Sequence, residues 1–120
     1  MNKEDFVSLE VAKMLKEKGF NVECEFELKE EIKIHNNEDE VKYWACHRYK
    51  CPTLYEAQKW LRSTKMINVE VSYMSGDYWI YEVLTIPKHD LVGLSDRENV
   101  KYKTYEEALN AGILEALKMI

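Results

Sequence analysis

The sequence predicts an α+β fold in which an antiparallel sheet of about four strands, formed by two hairpins, packs against three helices in the order α-ββ-α-ββ-α. Two observations lead to this prediction. The helix-start pattern Thr-x-x-Glu occurs at Thr53 and again at Thr104, each time directly behind a strand-like segment. Two pairs of β-type segments separate the helical stretches, and 120 residues suffice for one domain over 1–120 with its own core.

The first helix is predicted from Lys3 to about Lys18. Apolar residues recur there near helical spacing, Asn2 stands at a capping position, and Gly19 is placed to end the helix in a left-handed turn. From Val22 to Lys29 apolar and charged residues alternate strictly, which predicts a strand with one buried face.

The returning strand of this first hairpin is predicted from Glu40 to Lys50, after turn-forming residues at Asn36–Asp39. Pro52 closes the strand, because proline has no N–H to donate to a ladder. Helix two then begins at Thr53, and its inner stripe consists of Leu54, Ala57, Trp60 and Leu61.

The second hairpin is predicted from two β-rich runs, Asn68–Met74 and Tyr78–Ile86. They flank Ser75-Gly-Asp77, a short connection that supplies the left-handed positions such turns require. The sequence therefore places a tight turn at this point.

The last third of the chain is predicted to be irregular before it becomes helical. From Pro87 to Asn99 the β pattern lapses into a loop, and Val100 to Lys103 adds a short edge strand. Helix three runs from Tyr105 to the C-terminus behind its threonine cap, with an apolar face suited to pack on the sheet.

Composition sets aside several functional classes. The 22 acidic residues against 17 basic ones give a formal charge of −5 at pH 7, so the chain lacks the basic field that holds a nucleic acid. Three cysteines are an odd number and no dense disulfide framework, which indicates a reducing, cytoplasmic location. No apolar run approaches membrane-spanning length, so no membrane association is expected.

Cys46, His47 and Cys51 are the candidate metal ligands, because zinc is bound by cysteine and histidine. In a strand, however, Cys46 and His47 point to opposite faces, and the favoured interpretation is that Cys24 and Cys46 act as small buried hydrophobes. The four glycines are isolated, so no phosphate-binding loop is present and no cofactor is predicted. We therefore predict no catalytic residues.

Aromatic residues are dense in both predicted hairpins. If helices cover one sheet face only, the other face displays some of them, and the candidate contact residues are Trp44, Tyr78, Trp79 and Tyr81. Such a surface indicates a protein partner or self-association, whereas ordinary cross-strand packing is the structural alternative.

The sequence thus favours a non-enzymatic, cytoplasmic protein-interaction module. A first alternative is an acidic nucleic-acid-associated or nucleic-acid-mimicking protein in phage–host conflict, whose acidic strands would occupy a basic groove on a defence protein. A second alternative is a small metalloprotein or enzyme built on the cysteine and histidine residues named above.

Several segments resemble a group of short uncharacterised proteins from gut anaerobes and their phages. The similarity lies in Cys51-Pro-Thr53, in Ala57-x-Lys59-Trp-Leu-Arg62 with Ile67-Asn-Val69, and in Thr104-Tyr-Glu-Glu-Ala108. The opening Met1-Asn-Lys-Glu-Asp-Phe-Val-Ser-Leu-Glu-Val-Ala-Lys13 is also similar. The resemblance implies a phage or accessory-gene origin and supplies no site residue.

Overall fold

The structure, a computed structural model, describes residues 2–35, 41–95 and 100–120, with side chains described outside 32–35 and 41–45. This part of the chain contains three α-helices and five strands, so the predicted α+β class with three helices is confirmed. The helices are α1 Leu9–Glu17, α2 Leu54–Thr64 and α3 Tyr105–Lys118, and a 3₁₀ turn spans Lys3–Asp5. The strands are β1 Phe26–His35, β2 Val41–Cys51, β3 Ile67–Met74, β4 Tyr78–Thr85 and β5 Leu91–Leu94.

The strands form two antiparallel sheets, β1-β2 and β3-β4-β5, where the sequence predicted one sheet of four strands. Each hairpin is contacted instead by another part of the chain. Val7 N donates to Pro52 O at the end of β2 at 3.1 Å, and Gln58 Nε2 of α2 donates to Val69 O of β3 at 2.7 Å. The sequence shows the hairpins, but these edge contacts come from residues distant in the chain.

The fifth strand, β5, lies where the sequence predicted a loop. Its Gly93 lowers the strand propensity of a four-residue segment. A side chain there would collide with α3, because a Cβ on Gly93 would lie 2.9 Å from Glu115 Oε1 and 3.1 Å from Met119 Cε. Beyond this strand, the predicted edge strand at Val100–Lys103 is not formed as a regular strand, and Tyr102 makes an isolated antiparallel bridge with Trp79 of β4.

The first helix begins at Leu9, six residues later than predicted. Ser8 is its cap, and Ser8 Oγ accepts from Val11 N at 3.3 Å. Asn2 instead closes the 3₁₀ turn, where Asn2 N donates to Asp5 Oδ2 at 2.9 Å. The helix does end as predicted, because Gly19 follows it with φ +95°.

Both Thr-x-x-Glu patterns start helices as predicted, with one difference. At α2 the exchange is reciprocal: Glu56 N donates to Thr53 Oγ1 at 3.1 Å, and Thr53 N donates to Glu56 Oε1 at 3.0 Å. At α3 Glu107 N donates to Thr104 Oγ1 at 3.1 Å, but the Glu107 carboxylate accepts from Lys103 N at 3.3 Å.

The structure describes one of the two predicted hairpin turns. Between β3 and β4, Gly76 and Asp77 have φ of +105° and +63°, so the predicted left-handed turn is confirmed. The predicted turn at Asn36–Asp39 lies outside the described residues. The first strand begins at Phe26 rather than Val22, and residues 22–25 precede the ladder.

A continuous core joins the three helices and the inner face of the three-stranded sheet. The fully buried side chains at its centre are Val11, Leu15, Leu61, Val69, Val83, Ile113 and Leu117. Helix α3 lies close against the sheet at Gly112, where a Cβ would stand 2.6 Å from Val69 Cγ1 and 2.9 Å from Tyr81 Cγ. Among the described helices none is both long and apolar enough to cross a bilayer.

We expect Gly112→Ala to destabilise the protein by about 1–2 kcal/mol, because the added methyl group overpacks the contact with Val69 and Tyr81. Helix propensity alone would act in the opposite direction, by up to about 1 kcal/mol in favour of alanine. Urea unfolding followed by circular dichroism measures the difference. A variant more stable than the parent would show that α3 can move away from the sheet at no cost.

Candidate functional site

The candidate metal ligands are not brought together. Cys46 and Cys51 both lie on β2, but an odd separation along the strand puts their side chains on opposite faces. His47 shares the face of Cys51 but lies four residues, roughly 13 Å, along the strand. Within the described residues no group of three or more histidine, cysteine, aspartate or glutamate side chains is arranged to hold a metal ion.

The three cysteines are free thiols in different surroundings. Cys51 is buried with its Sγ 3.8 Å from the carbonyl oxygen of Val7, and Cys24 is half-buried. Cys46 is exposed, so the prediction that it is a buried hydrophobe is wrong, because it lies on the face of β2 opposite to Cys51. Burial raises the pKa of the Cys51 thiol, and burial is also the main cause of the raised pKa of Cys24. Cys51 is therefore held in the protonated form, which is the weak nucleophile.

The four predicted contact aromatics do not share one open face. Tyr81 is only 9% exposed and lies beneath α3, so it belongs to the core. Trp79 is half-buried on that same sheet face, whereas Tyr78 points to the opposite face, where Lys101 Nζ lies 5.2 Å from its ring centroid. Trp44 lies within β2, and its side chain is outside the described set.

Three aromatic rings nevertheless form a partly exposed group, here called the aromatic cluster: Tyr73, Trp79 and Tyr105. The Trp79 ring centroid lies 5.1 Å from that of Tyr73 and 5.5 Å from that of Tyr105, both in edge-to-face geometry. Tyr73 is 56% exposed and Tyr105 is 40% exposed. The cluster therefore presents two tyrosines to solvent around a half-buried tryptophan.

The sequence prediction missed two of these residues for different reasons. Tyr105 was assigned to the inner face of helix three, but it is the first helical residue and lies beyond the covered part of the sheet. Tyr73 is paired with Trp79 across the hairpin, a register that follows from the turn at Gly76 and Asp77. The turn residues Gly76 and Asp77 were therefore the sequence signal from which the pairing of Tyr73 with Trp79 could have been predicted. The Tyr73 hydroxyl also donates to Asp77 Oδ1 at 2.9 Å, and this hydrogen bond raises the pKa of Tyr73.

A second feature is a groove of about 1050 Å³ between the 3₁₀ turn, the start of β1 and the first turns of α1 and α3. Its wall is apolar and includes Phe6, Val7, Leu9, Phe26, Leu28 and Cys51. The rings of Phe6 and Phe26 meet edge to face at 5.3 Å, and Phe26 remains 51% exposed. The groove therefore presents a large apolar side chain to solvent.

The rim of this groove is acidic, and we call the whole feature the acidic groove. Four carboxylates line it, Glu4, Glu27, Glu106 and Glu107, against the single ammonium group of Lys3 among the described lining residues. An exposed Arg48 lies 3.9 Å from Glu27, a distance at which a surface pair contributes little. The groove thus combines an apolar floor with negative potential.

Two hydrogen bonds hold the walls of the acidic groove together. Ser8 N donates to Asn110 Oδ1 at 3.0 Å, and Asn110 Nδ2 donates to Ser8 Oγ at 3.2 Å, which ties the start of α1 to α3. No local pattern in the sequence predicts this groove, because its walls come from residues about 100 positions apart.

We expect a thiol reagent to modify one cysteine of the native protein quickly, because only Cys46 is exposed. The half-buried Cys24 should react more slowly, and the buried Cys51 only as the protein unfolds. Ellman's reagent, monitored at neutral pH with and without denaturant, measures this. Cys46→Ser should remove the fast phase and Cys24→Ser should leave it intact; a fast phase of unchanged rate in Cys46→Ser would contradict this order of exposure.

The chain was compared with protein-family models, with curated proteins and with solved structures, and nothing matches in any of the three. Function is therefore inferred from the aromatic cluster and the acidic groove themselves.

Proposed function

We propose that this protein is a non-enzymatic, cytoplasmic protein that acts by binding another protein, with the aromatic cluster at the centre of the contact. The observation that supports this most directly is the edge-to-face series Tyr73, Trp79 and Tyr105, in which both outer rings are substantially exposed. Tyrosine and tryptophan are the residues most enriched at the energetic centres of protein interfaces.

The rings of the cluster contact one another in the free protein. The Trp79 backbone is held because Trp79 N donates to Tyr102 O at 2.8 Å and Tyr102 N donates to Trp79 O at 3.3 Å, and the Trp79 ring packs against both Tyr73 and Tyr105. Tyr73 is fixed through its hydroxyl contact with Asp77. Preformed rings lose little conformational freedom on association, and that favours affinity.

The phage or accessory-gene origin implied by the resemblance remains part of this proposal. The acidic mimicry alternative receives less support from the hairpin, because basic residues lie among its acidic ones. Glu27 pairs in register with Lys50 and lies 3.9 Å from Arg48, and the cross-strand partner of Arg48 is the basic Lys29. Alternating signs of this kind do not present the continuous negative surface that mimicry of nucleic acid requires.

To test the aromatic contact, we would replace Tyr73, Tyr105 or Tyr55 in turn by the photo-crosslinking residue benzoylphenylalanine in the producing cell. Tyr55 is the matched control, because it is 63% exposed on α2 and outside the cluster. We expect a discrete crosslinked species from positions 73 and 105 but not from position 55. With the purified partner, Tyr73→Ser should weaken binding about tenfold, the loss expected of an interface-centre aromatic.

The contrary result is equally clear. Crosslinking at Tyr55 equal to that at the cluster, or unchanged affinity of Tyr73→Ser, would remove this surface as the contact. Circular dichroism of each variant checks that the fold is intact, which the exposure of Tyr73 leads us to expect.

A further inference from the structure

We propose that the acidic groove is a second, separate binding site and that it takes a basic peptide segment of a partner protein. The segment carries a large apolar side chain flanked by lysine or arginine. The apolar side chain packs against Phe6 and Phe26, and the basic groups meet the carboxylates of the rim.

The floor of the groove determines the apolar half of this ligand. Phe26 is half exposed although it lies at the start of a strand, and its ring already contacts Phe6 in edge-to-face geometry. An aliphatic or aromatic side chain placed beside these rings would remove apolar surface from water, which is the dominant favourable term in association. The groove volume lies at the upper end of the range for binding cavities, so it accommodates a peptide segment.

The rim determines the charge of the ligand. Glu106 and Glu107 belong to the first turn of α3, where the helix dipole by itself favours carboxylates. This local reason does not apply to Glu27, which comes from β1 and lines the groove from the opposite face of the strand to Phe26 and Leu28. Four carboxylates around one apolar surface repel an anionic ligand and attract a cationic one.

The groove is also preformed. The Ser8–Asn110 hydrogen bonds fix α1 against α3, and the hydrogen bond from Val7 N to Pro52 O fixes the chain before α1 against the end of β2. Binding therefore restricts the conformational freedom of the ligand and leaves that of the protein nearly unchanged.

A second copy of this chain is the competing occupant, since α2 carries a local basic patch of Lys59, Arg62 and Lys65. The aromatic side chain within that patch is already engaged, because Trp60 packs edge to face on Phe20 at 5.4 Å and Lys65 Nζ lies 5.5 Å from the Trp60 ring centroid. Trp60 is therefore not free to enter the groove, although Tyr55 and Met66 beside the patch are exposed. The oligomeric state distinguishes this second copy from the peptide of another protein that we propose.

Four synthetic amphipathic peptides test the proposal by fluorescence anisotropy. They share one length and pattern, with leucine and lysine, leucine and glutamine, leucine and glutamate, or serine and lysine. We expect the leucine–lysine peptide to bind at least about tenfold more tightly than each of the others. It alone carries both an apolar side chain for the floor of the groove and positive charges for the carboxylates of the rim. Its affinity should fall as salt rises, since the rim charges are exposed.

Matched variants locate the binding. Glu27→Gln with Glu106→Gln should weaken the leucine–lysine peptide about tenfold, whereas Glu70→Gln with Glu82→Gln should not. The control pair also removes two negative charges. Glu70 and Glu82 are cross-strand partners on β3 and β4, and neither lines the groove. Phe26→Ser should also weaken binding, and Tyr73→Ser should have no effect, which separates this site from the aromatic cluster.

Three outcomes would overturn the proposal. The first is equal binding of the leucine–glutamine peptide, which would remove the role of charge. The second is equal weakening by the control pair, which would reduce the effect to net charge. The third is a concentration-dependent dimer in light scattering that Glu27→Gln with Glu106→Gln dissolves, which would assign the groove to a second copy.

Discussion

The close approach of α3 to the three-stranded sheet is the constraint on which the rest of the structure depends. The helix reaches the sheet because Gly112 has no side chain to separate it from Val69 and Tyr81. A second glycine, Gly93 on β5, lies against the side-chain ends of Glu115 on α3 and of Met119, which follows the helix. The contact at Gly112 therefore sets the packing distance, and the buried residues of all three helices join a single core around it.

The position of α3 also sets both candidate surfaces. Its first residue, Tyr105, packs on Trp79 at one side of the helix, while Glu106 and Asn110 form part of the acidic groove on another. The two sites thus share the first turn of one helix but take different ligand chemistry: aromatic stacking in the cluster, and charge with apolar contact in the groove. A displacement of this turn would alter both together.

Local signals in the sequence were sufficient for most elements. The Thr53 and Thr104 caps, the turn at Gly76 and the helix end at Gly19 each depend on residues within a few positions, and each is confirmed. What failed depends on distant residues. The edge contact at Val7, the strand around Gly93 and the meeting of Ser8 with Asn110 are tertiary contacts that no local pattern encodes.

The same limit explains why the site predictions had mixed outcomes. The exposure of a strand aromatic depends on which face the helices cover, and the sequence leaves this open for Tyr78, Trp79 and Tyr81. The acidic groove could not be predicted, because Glu4, Glu27 and Glu106 become neighbours only in the folded chain.

The hydrogen bond from Gln58 to Val69 has a consequence for the behaviour of the protein at high concentration. Strand β3 is the outer strand of its sheet, and an outer strand is a template on which another molecule can add a strand and begin to aggregate. The amide of Gln58 on α2 donates to the Val69 carbonyl at 2.7 Å, so an incoming strand would have to break this bond. One side chain thus protects the most apolar stretch of the edge against intermolecular pairing.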